Sequence, residues 1–433
     1  MRWLNPRPSP YEVAVNEQVR RTLLEAAAEF GTPSYVYFID TVLERVRAVR
    51  AAFDGRFELS YAIKSNPNLR LLEALSPAVH TVDASSGGEV TRALAAGYAP
   101  ERITFSGPAK RDFELETAVA TGCGLLVCES ALEMESLNRL AHRAGRKIDV
   151  AIRINPRTAP KKFGVNMAGK PSQFGVDEEE MPAVASQAGQ WTNLELKGFH
   201  IYSGTNSLNE EAIAENFAIF RELFIRFADL FQVRPSTLIF GSGFGIPYHD
   251  DQRPLELPRL AELVNPIVDD LKRRPEFSAS TCVLEMGRFL VGPAGYFLTR
   301  VVGQKRSRGT DICLADGGFN NHLAAFGLMG TVIRRNWSMR NISAPEAQSN
   351  RYMVVGPLCT TIDTLAVDVD LAAVTIGDVI AVGASGAYGV TASPQNFISH
   401  PPAREIIADG AGRLVDATED YQPARVDAPL RAV

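Results

Sequence analysis

The sequence predicts a closed barrel of eight parallel strands wrapped by helices, followed by a mainly antiparallel β domain. Three observations support this. Short apolar runs alternate with helical segments from Tyr35 onward, and eight such runs occur before residue 290. Almost every run ends in a turn former or glycine. Beyond Leu290 the helices give way to strands separated by glycine, proline and basic turns.

The eight strands are read at Phe57 to Ile63, Thr81 to Ser85, Ile103 to Ser106, Leu125 to Cys128, Asp149 to Ile154, Leu196 to Tyr202, Thr237 to Phe240 and Thr281 to Glu285. Glu89 to Gly97, Asp112 to Gly122, Ala131 to Ala144 and Glu210 to Phe231 carry apolar positions at helical spacing between them. An open doubly wound sheet is the alternative, but eight strands over about 230 residues suit a barrel better. Later strands are read at Tyr296 to Val302, Asp311 to Ala315, Tyr352 to Val355 and Val379 to Val382. The expected division is a barrel over 31–292, with 1–30 and 293–433 forming the β domain. Residues 1–30 hold an extended piece and a short helix, Val19 to Phe30; the tail after Arg413 is polar and proline-containing.

With 433 residues and 45% hydrophobic content the chain can bury a large core, in two domains. A net charge of -5 with interspersed signs argues against nucleic acid as a partner. Five scattered cysteines fit neither a disulfide framework nor a metal cluster, and no bound metal is expected. The first residues lack the apolar core of a signal peptide, and no run of about 18 apolar residues appears, so a cytoplasmic protein away from membranes is expected.

In such a barrel the chemistry sits at the C-terminal ends of the strands. Tyr61-Ala62-Ile63-Lys64-Ser65-Asn66 brings Lys64 from a strand into a turn, where a desolvated amine could attack a carbonyl. Asp83 and Glu89 follow the second strand, Arg153 lies on the fifth and His200 on the sixth. The loop Gly241-Ser242-Gly243-Phe244-Gly245 follows the seventh, and Glu285 and Arg288 close the eighth. A glycine loop lets backbone N–H groups approach an anion. Glu285 and Arg288 could instead form a local salt bridge. His200 could be a core histidine, but its place on the Lys64 rim favours a lid over a flat ligand, with Ser203, Gly204 and Thr205 adding polar contacts. In the β domain, Cys359 is either a small buried hydrophobe or, with Asp363 four residues on, a poised thiol. Tyr388, flanked by glycines, is an ordinary core tyrosine or an anion contact.

These motifs resemble the fold-type III pyridoxal-phosphate decarboxylases, the group of diaminopimelate and ornithine decarboxylases. The resemblance runs from Thr32 to about Ile406. It rests on the Lys64 segment, Asp83 to Glu89, Phe105 to Lys110, Ile152 to Pro156, His200 to Gly204, the Gly241 loop, Glu285 to Arg288, Gly356 to Cys359 and Gly386 to Tyr388. It implies pyridoxal 5'-phosphate held by Lys64 as a Schiff base, His200 stacked on the ring and Glu285 paired with the ring nitrogen. It further implies that Gly243, Phe244, Gly245, Arg288 and Tyr388 bind the phosphate, and that Asp83, Glu89 and Arg153 orient Lys64 and the cofactor. Cys359 would cross from a second subunit as proton donor, implying a homodimer with shared sites.

A narrower resemblance is to decarboxylases of exosortase systems and to the butirosin-pathway decarboxylase of carrier-protein-linked glutamate. It rests on Lys170 to Gly175, Asp316 to His322, Ile333 to Asn336 and Ala392 to His400. One departure from the wider family is Thr360, where ornithine and diaminopimelate enzymes place an acid that holds the distal amine. A neutral hydroxyl cannot balance a buried ammonium. Arg334 and Arg335 could receive a carboxylate or a phosphopantetheine phosphate, or form a solvated basic turn; Asp316, Asn321, His322 and Asp363 are further substrate candidates. The expected activity is α-decarboxylation of an amino acid modified, or carried on a protein, at its far end. The alternatives are a racemase or epimerase on the same cofactor, and a silent homologue that binds a partner.

Overall fold

The computed structural model describes residues 3–4, 15–160, 162–163, 165–328 and 334–421. The described residues form two compact units, one from Arg45–Gly245, Leu255–Gly287 and Tyr421, the other from the parts of Met1–Glu44, Ile246–Pro254 and Arg288–Asp420.

The first unit is the expected barrel. Its strands are β1 (Glu58–Ala62), β2 (Thr81–Ala84), β3 (Ile103–Phe105), β4 (Leu125–Cys128), β5 (Ile148–Asn155), β6 (Leu194–Ile201), β7 (Thr237–Gly241) and β8 (Thr281–Met286). All neighbours are parallel. β8 pairs with β1, and a β5–β6 pairing closes the cylinder. That closing pair carries a register shift between Leu196 and Gly198. On its other side Gly198 lies so close to β7 that a Cβ would sit 1.6 Å from the Thr237 carbonyl oxygen.

Helices α1 (Leu69–Leu75), α2 (Gly87–Ala95), α3 (Asp112–Thr121), α4 (Ala131–Arg143), α5 (Met181–Gln187), α6 (Glu210–Phe231) and α7 (Leu257–Lys272) follow β1 to β7 in turn. The longest, α6, shows why these segments are helical. Asn209 caps it by accepting from the Ala212 N–H, Glu210 and Glu211 load its first turn, and Gln232 ends it in the left-handed region. Its buried stripe includes Ile213, Phe217, Phe220, Phe224 and Phe227, spaced at three and four residues. Phe217 stacks on Phe240 of β7 at 5.3 Å and on Phe244 at 6.5 Å, while Phe53 lies 6.1 Å from Phe244. The aromatic core thus grips the glycine loop by its one large side chain.

The second unit is a nine-stranded sheet among the described residues, mostly antiparallel. Strand Gly295–Ser307 pairs antiparallel with Thr310–Ala315, Ser34–Phe38 and Val379–Val382. Two pairings are parallel: Thr310–Ala315 with Ser349–Val355, and Ser34–Phe38 with Arg404–Ala408. Helix Glu17–Glu29 buries Leu23, Ala26 and Ala27 against Val36, Leu298 and Ile406 of this sheet. Trp3–Leu4 pairs parallel with Arg334–Arg335. Ile333, which opens one of the narrower motifs, lies outside the described residues.

Phe217→Ala should remove the ring joining α6, β7 and the glycine loop at a fully buried position, costing about 3–5 kcal/mol. Chemical denaturation checks this, and a loss below about 1 kcal/mol would mean that the aromatic cluster is not the core of the barrel wall.

Candidate active site

Lys64 sits in a single 3₁₀ turn, Ile63–Ser65, directly after β1. Ser65 donates its hydroxyl to the Ala62 carbonyl at 2.8 Å, and the Tyr61 hydroxyl donates to the Asn66 carbonyl at 2.9 Å. Tyr61, Ile63, Ser65 and Asn66 are buried, and Lys64 alone among them is exposed. Its Nζ lies 5.7 Å from the centre of the Tyr202 ring. Three carboxylates, Asp83, Glu89 and Glu285, feel its charge.

Strand register gathers the rest. Ala62 pairs with Asp83, Ser60 with Glu285, Glu285 with Gly241, and His200 with Arg153. Asp83 is 1% exposed, and neither carboxylate oxygen has an aligned hydrogen-bond partner. Burial, and then the charge of Glu285, push it well above the usual carboxylate range, against the pull of Lys64. Burial also acts on Glu285, but His200, Lys64 and Arg153 outweigh it and hold that carboxylate below its ordinary range. The two acids are thus driven in opposite directions, Asp83 toward its protonated form and Glu285 toward its anion. Glu89 is raised by burial, partly offset by the Ser85 N–H, which donates to it at 2.7 Å.

His200 is buried, with Nε2 3.1 Å from Glu285 Oε2, although neither ring nitrogen makes an aligned hydrogen bond. Burial lowers its pKa more than Glu285 raises it, which favours the neutral imidazole. Arg153 is buried and donates from Nη1 to Glu129 Oε1 at 2.9 Å, with its guanidinium 4.6 Å from the Phe174 ring. Beside it, buried Lys110 donates to Glu133 Oε1 at 2.5 Å. Glu129 and Glu133 were not singled out from sequence. The available signal was a carboxylate directly after β4, at a strand C-terminus on the rim.

In the glycine loop, Gly243 has φ +65, and a Cβ there would lie 2.6 Å from Phe163 Cε1. The glycine is required by turn and packing together. The Gly245 N–H donates to the Ser207 carbonyl at 2.8 Å, and the Ser207 N–H to the Gly243 carbonyl at 3.0 Å, so the loop is tied to the segment after β6. Ser203 is buried and donates to Asn216 Oδ1 of α6 at 2.6 Å. Phe244 turns its ring into the core, leaving its backbone as the polar group at that position.

The second unit holds the remaining candidates. Arg288 donates to the Tyr248 hydroxyl at 2.5 Å and lies 4.8 Å from the Tyr388 ring, and Tyr388 takes φ 55. Cys359 is exposed, whereas the other four cysteines are buried. The buried-hydrophobe alternative therefore falls away. Asp363 is buried and accepts from the N–H groups of Phe319 and Leu358, both at 2.8 Å, pinning the thiol loop to the Gly317 turn. Arg334 is buried and reaches the Ile362 carbonyl of the same loop at 3.4 Å. Arg335 donates to Asp251 at 2.5 Å. These contacts replace the solvated basic turn with two anchored arginines.

His322 is fully buried among Tyr35, Phe297 and Trp337, and burial pushes its pKa down to about 3. Its Nε2 meets Ser385 Oγ at 3.0 Å. Asn321 accepts the Tyr35 hydroxyl on its carbonyl, and Asp316 accepts from Thr32, Thr299 and the Arg300 N–H. The Asn321 side-chain Oδ1 accepts from the Gly318 N–H at 3.2 Å. Thr360 is half-buried beside Cys359. Among the described residues no helix is long and apolar enough to cross a membrane.

The chain matches the family described as "Pyridoxal-dependent decarboxylase, pyridoxal binding domain" over residues 39–292. It is 32% identical to L-glutamyl-[BtrI acyl-carrier protein] decarboxylase of Niallia circulans, over 87% of this chain and 89% of the relative. It is 30% identical to diaminopimelate decarboxylase of Aquifex aeolicus, over 92% of each chain. The crystal structure of diaminopimelate decarboxylase from Helicobacter pylori complexed with L-lysine superposes with TM-score 0.81 at 27% identity, covering 92% of this chain and 96% of that one.

Because the folded pKa of Asp83 is raised, the stability it permits is fully present below the ordinary carboxylate pKa and is lost as pH rises through the folded value. Asp83→Asn should remove that dependence. The variant gains on wild type by up to about 1.4 kcal/mol per pH unit across the window. Urea unfolding of cofactor-free protein at pH 5 and pH 8 checks this, and a parallel pH dependence in both proteins would contradict it.

Proposed function

The chain belongs to the pyridoxal-dependent decarboxylases, and from that premise we propose that it α-decarboxylates an amino acid modified at its distal end or held there on an acyl carrier protein. As a family member it is a carboxy-lyase that uses pyridoxal 5'-phosphate. The observation that carries the proposal is the approach, on one barrel rim, of the buried His200 Nε2 to 3.1 Å from the Glu285 carboxylate, within the field of Lys64.

The residues present fit the cofactor. The oxygens of Asp83 and the ring nitrogens of His200 are buried polar atoms without aligned hydrogen bonds, as expected of a site that a polar ring completes. When bound, pyridoxal phosphate supplies an electron sink for the electrons left by the departing carboxylate. Lys64 would hold its aldehyde carbon. Glu285 would keep the ring nitrogen protonated, a task that needs an acid held toward its anion, and His200 would lie against the ring. Asp83, Glu89 and Arg153 would orient Lys64 and the cofactor. Gly243, Phe244, Gly245 and Ser203, with Arg288 and Tyr388, would bind the phosphate. In this reading the barrel carries the cofactor, and the β domain completes the site in a cytoplasmic homodimer.

Cys359, from a second copy of the chain, would return a proton to the α-carbon, as its exposure allows. Thr360 leaves a distal ammonium unbalanced, while Arg334 adds a cation beside the same loop. That combination favours a substrate whose far end is neutral or acidic. Asp363 and His322 would support this region from below by fixing its loops.

A panel of carrier-protein thioesters, distally modified amino acids and free diamino acids, read by mass for loss of carbon dioxide, tests the proposal. Turnover of a carrier-linked or modified substrate at least about 100-fold above lysine, ornithine or diaminopimelate is expected. Preference for a diamino acid, or α-proton exchange without carbon dioxide release, would refute it; Lys64→Ala should abolish turnover throughout. Cys359→Ala should slow turnover about 100-fold or more while cofactor absorbance is retained, and an unchanged kcat would remove the thiol from the reaction.

A further inference from the structure

Glu129 stands at the junction of three rim segments. Its Oε1 accepts from Arg153 Nη1 at 2.9 Å and from the Gly107 N–H at 3.0 Å, and its Oε2 accepts from the Gly175 N–H at 2.8 Å. Arg153 is on β5, Gly107 follows β3, and Gly175 lies in the segment between β5 and α5. The residue before Gly175 is Phe174, whose ring covers the Arg153 guanidinium at 4.6 Å. A single carboxylate therefore fixes the guanidinium directly and, through Gly175, places the ring that covers it. Glu129 is itself held from behind, because its N–H donates to Glu133 Oε2 at 3.2 Å and Glu133 is paired with Lys110. Buried charges alternate in sign along the rim: Glu133, Lys110, Glu129, Arg153, then Glu285.

Such an array is a poor way to gain stability, since apolar side chains of similar volume serve a core as well or better. Its value lies in holding each charge in one place. We propose that Glu129 is a positioning residue for the cofactor site, fixing the Arg153 guanidinium beside His200 through one shared carboxylate. The proposal rests on the reading of Arg153 as a residue that orients the cofactor. The amide of Glu129→Gln can still accept from Arg153 and Gly107, but it then turns an N–H toward the Gly175 N–H, so the Phe174 cover is released.

The test is the dissociation constant for pyridoxal phosphate, from absorbance titration of wild type, Glu129→Gln, Arg153→Met and the double variant. Glu129→Gln should weaken binding about tenfold, and in the Arg153→Met background it should add nothing further. A penalty of equal size in both backgrounds would make Glu129 merely structural and overturn the proposal, as would wild-type affinity in Glu129→Gln. Wild-type affinity in Arg153→Met would instead overturn the role of Arg153, and that of Glu129 with it. If circular dichroism shows that Glu129→Gln does not fold, Phe174→Leu loosens the guanidinium from the opposite side at a half-buried position. It should weaken binding about threefold, and unchanged binding would overturn the proposal.

Discussion

The pairing of β5 with β6 is the constraint on which the rest of the barrel depends. Until it forms, the parallel strands are an open sheet with two bare edges. Once it forms, every strand ends on a common rim, and the register sets which side chains meet. His200 is placed beside Arg153, and Glu285 beside Gly241. Gly198, at the register shift of the β5–β6 pair, also brings the β6 backbone too close to Thr237 of β7 for any side chain.

The second organising theme is unequal treatment of like groups. Asp83 and Glu285 are both buried carboxylates on the same rim, yet one is driven to keep its proton and the other to lose it. The difference comes from neighbours: Glu285 has His200, Lys64 and Arg153, while Asp83 has Lys64 opposed by Glu285 itself. Low local dielectric magnifies both effects. In the β unit, Asp363 spends its carboxylate on two backbone N–H groups. It shapes the loop that presents Cys359, and its exposed neighbours Thr361 and Ile362 leave that face open.

Much of this was legible beforehand. Eight barrel strands, the Lys64 turn and the helix Glu210–Phe231 follow from periodicity and turn chemistry, which are local properties. The rim positions of Asp83, Arg153, His200 and Glu285 follow from the rule that strand C-termini carry function. Less legible was Ser34–Phe38, which precedes the barrel in the chain yet joins the later β sheet through Gly295–Ser307 and Arg404–Ala408. No local pattern encodes a partner some 260 residues away. The exposure of Lys64, the burial of His322 and the anchoring of Arg334 and Arg335 were equally out of reach, because burial depends on what packs above a residue.

The amino-acid sequence by itself therefore determined the fold class, the order of its elements and the residue types brought to each strand end, because helix, strand and turn preferences act over a few residues. Only the tertiary structure decided which of those groups is buried or exposed, which carboxylate pKa is pushed up and which down, and that Glu129 links Arg153 to Gly107 and Gly175. The reason is physical. Burial, charge coupling and shared hydrogen bonds arise between segments far apart in the chain, and their strength is set by geometry that exists only once the barrel has closed.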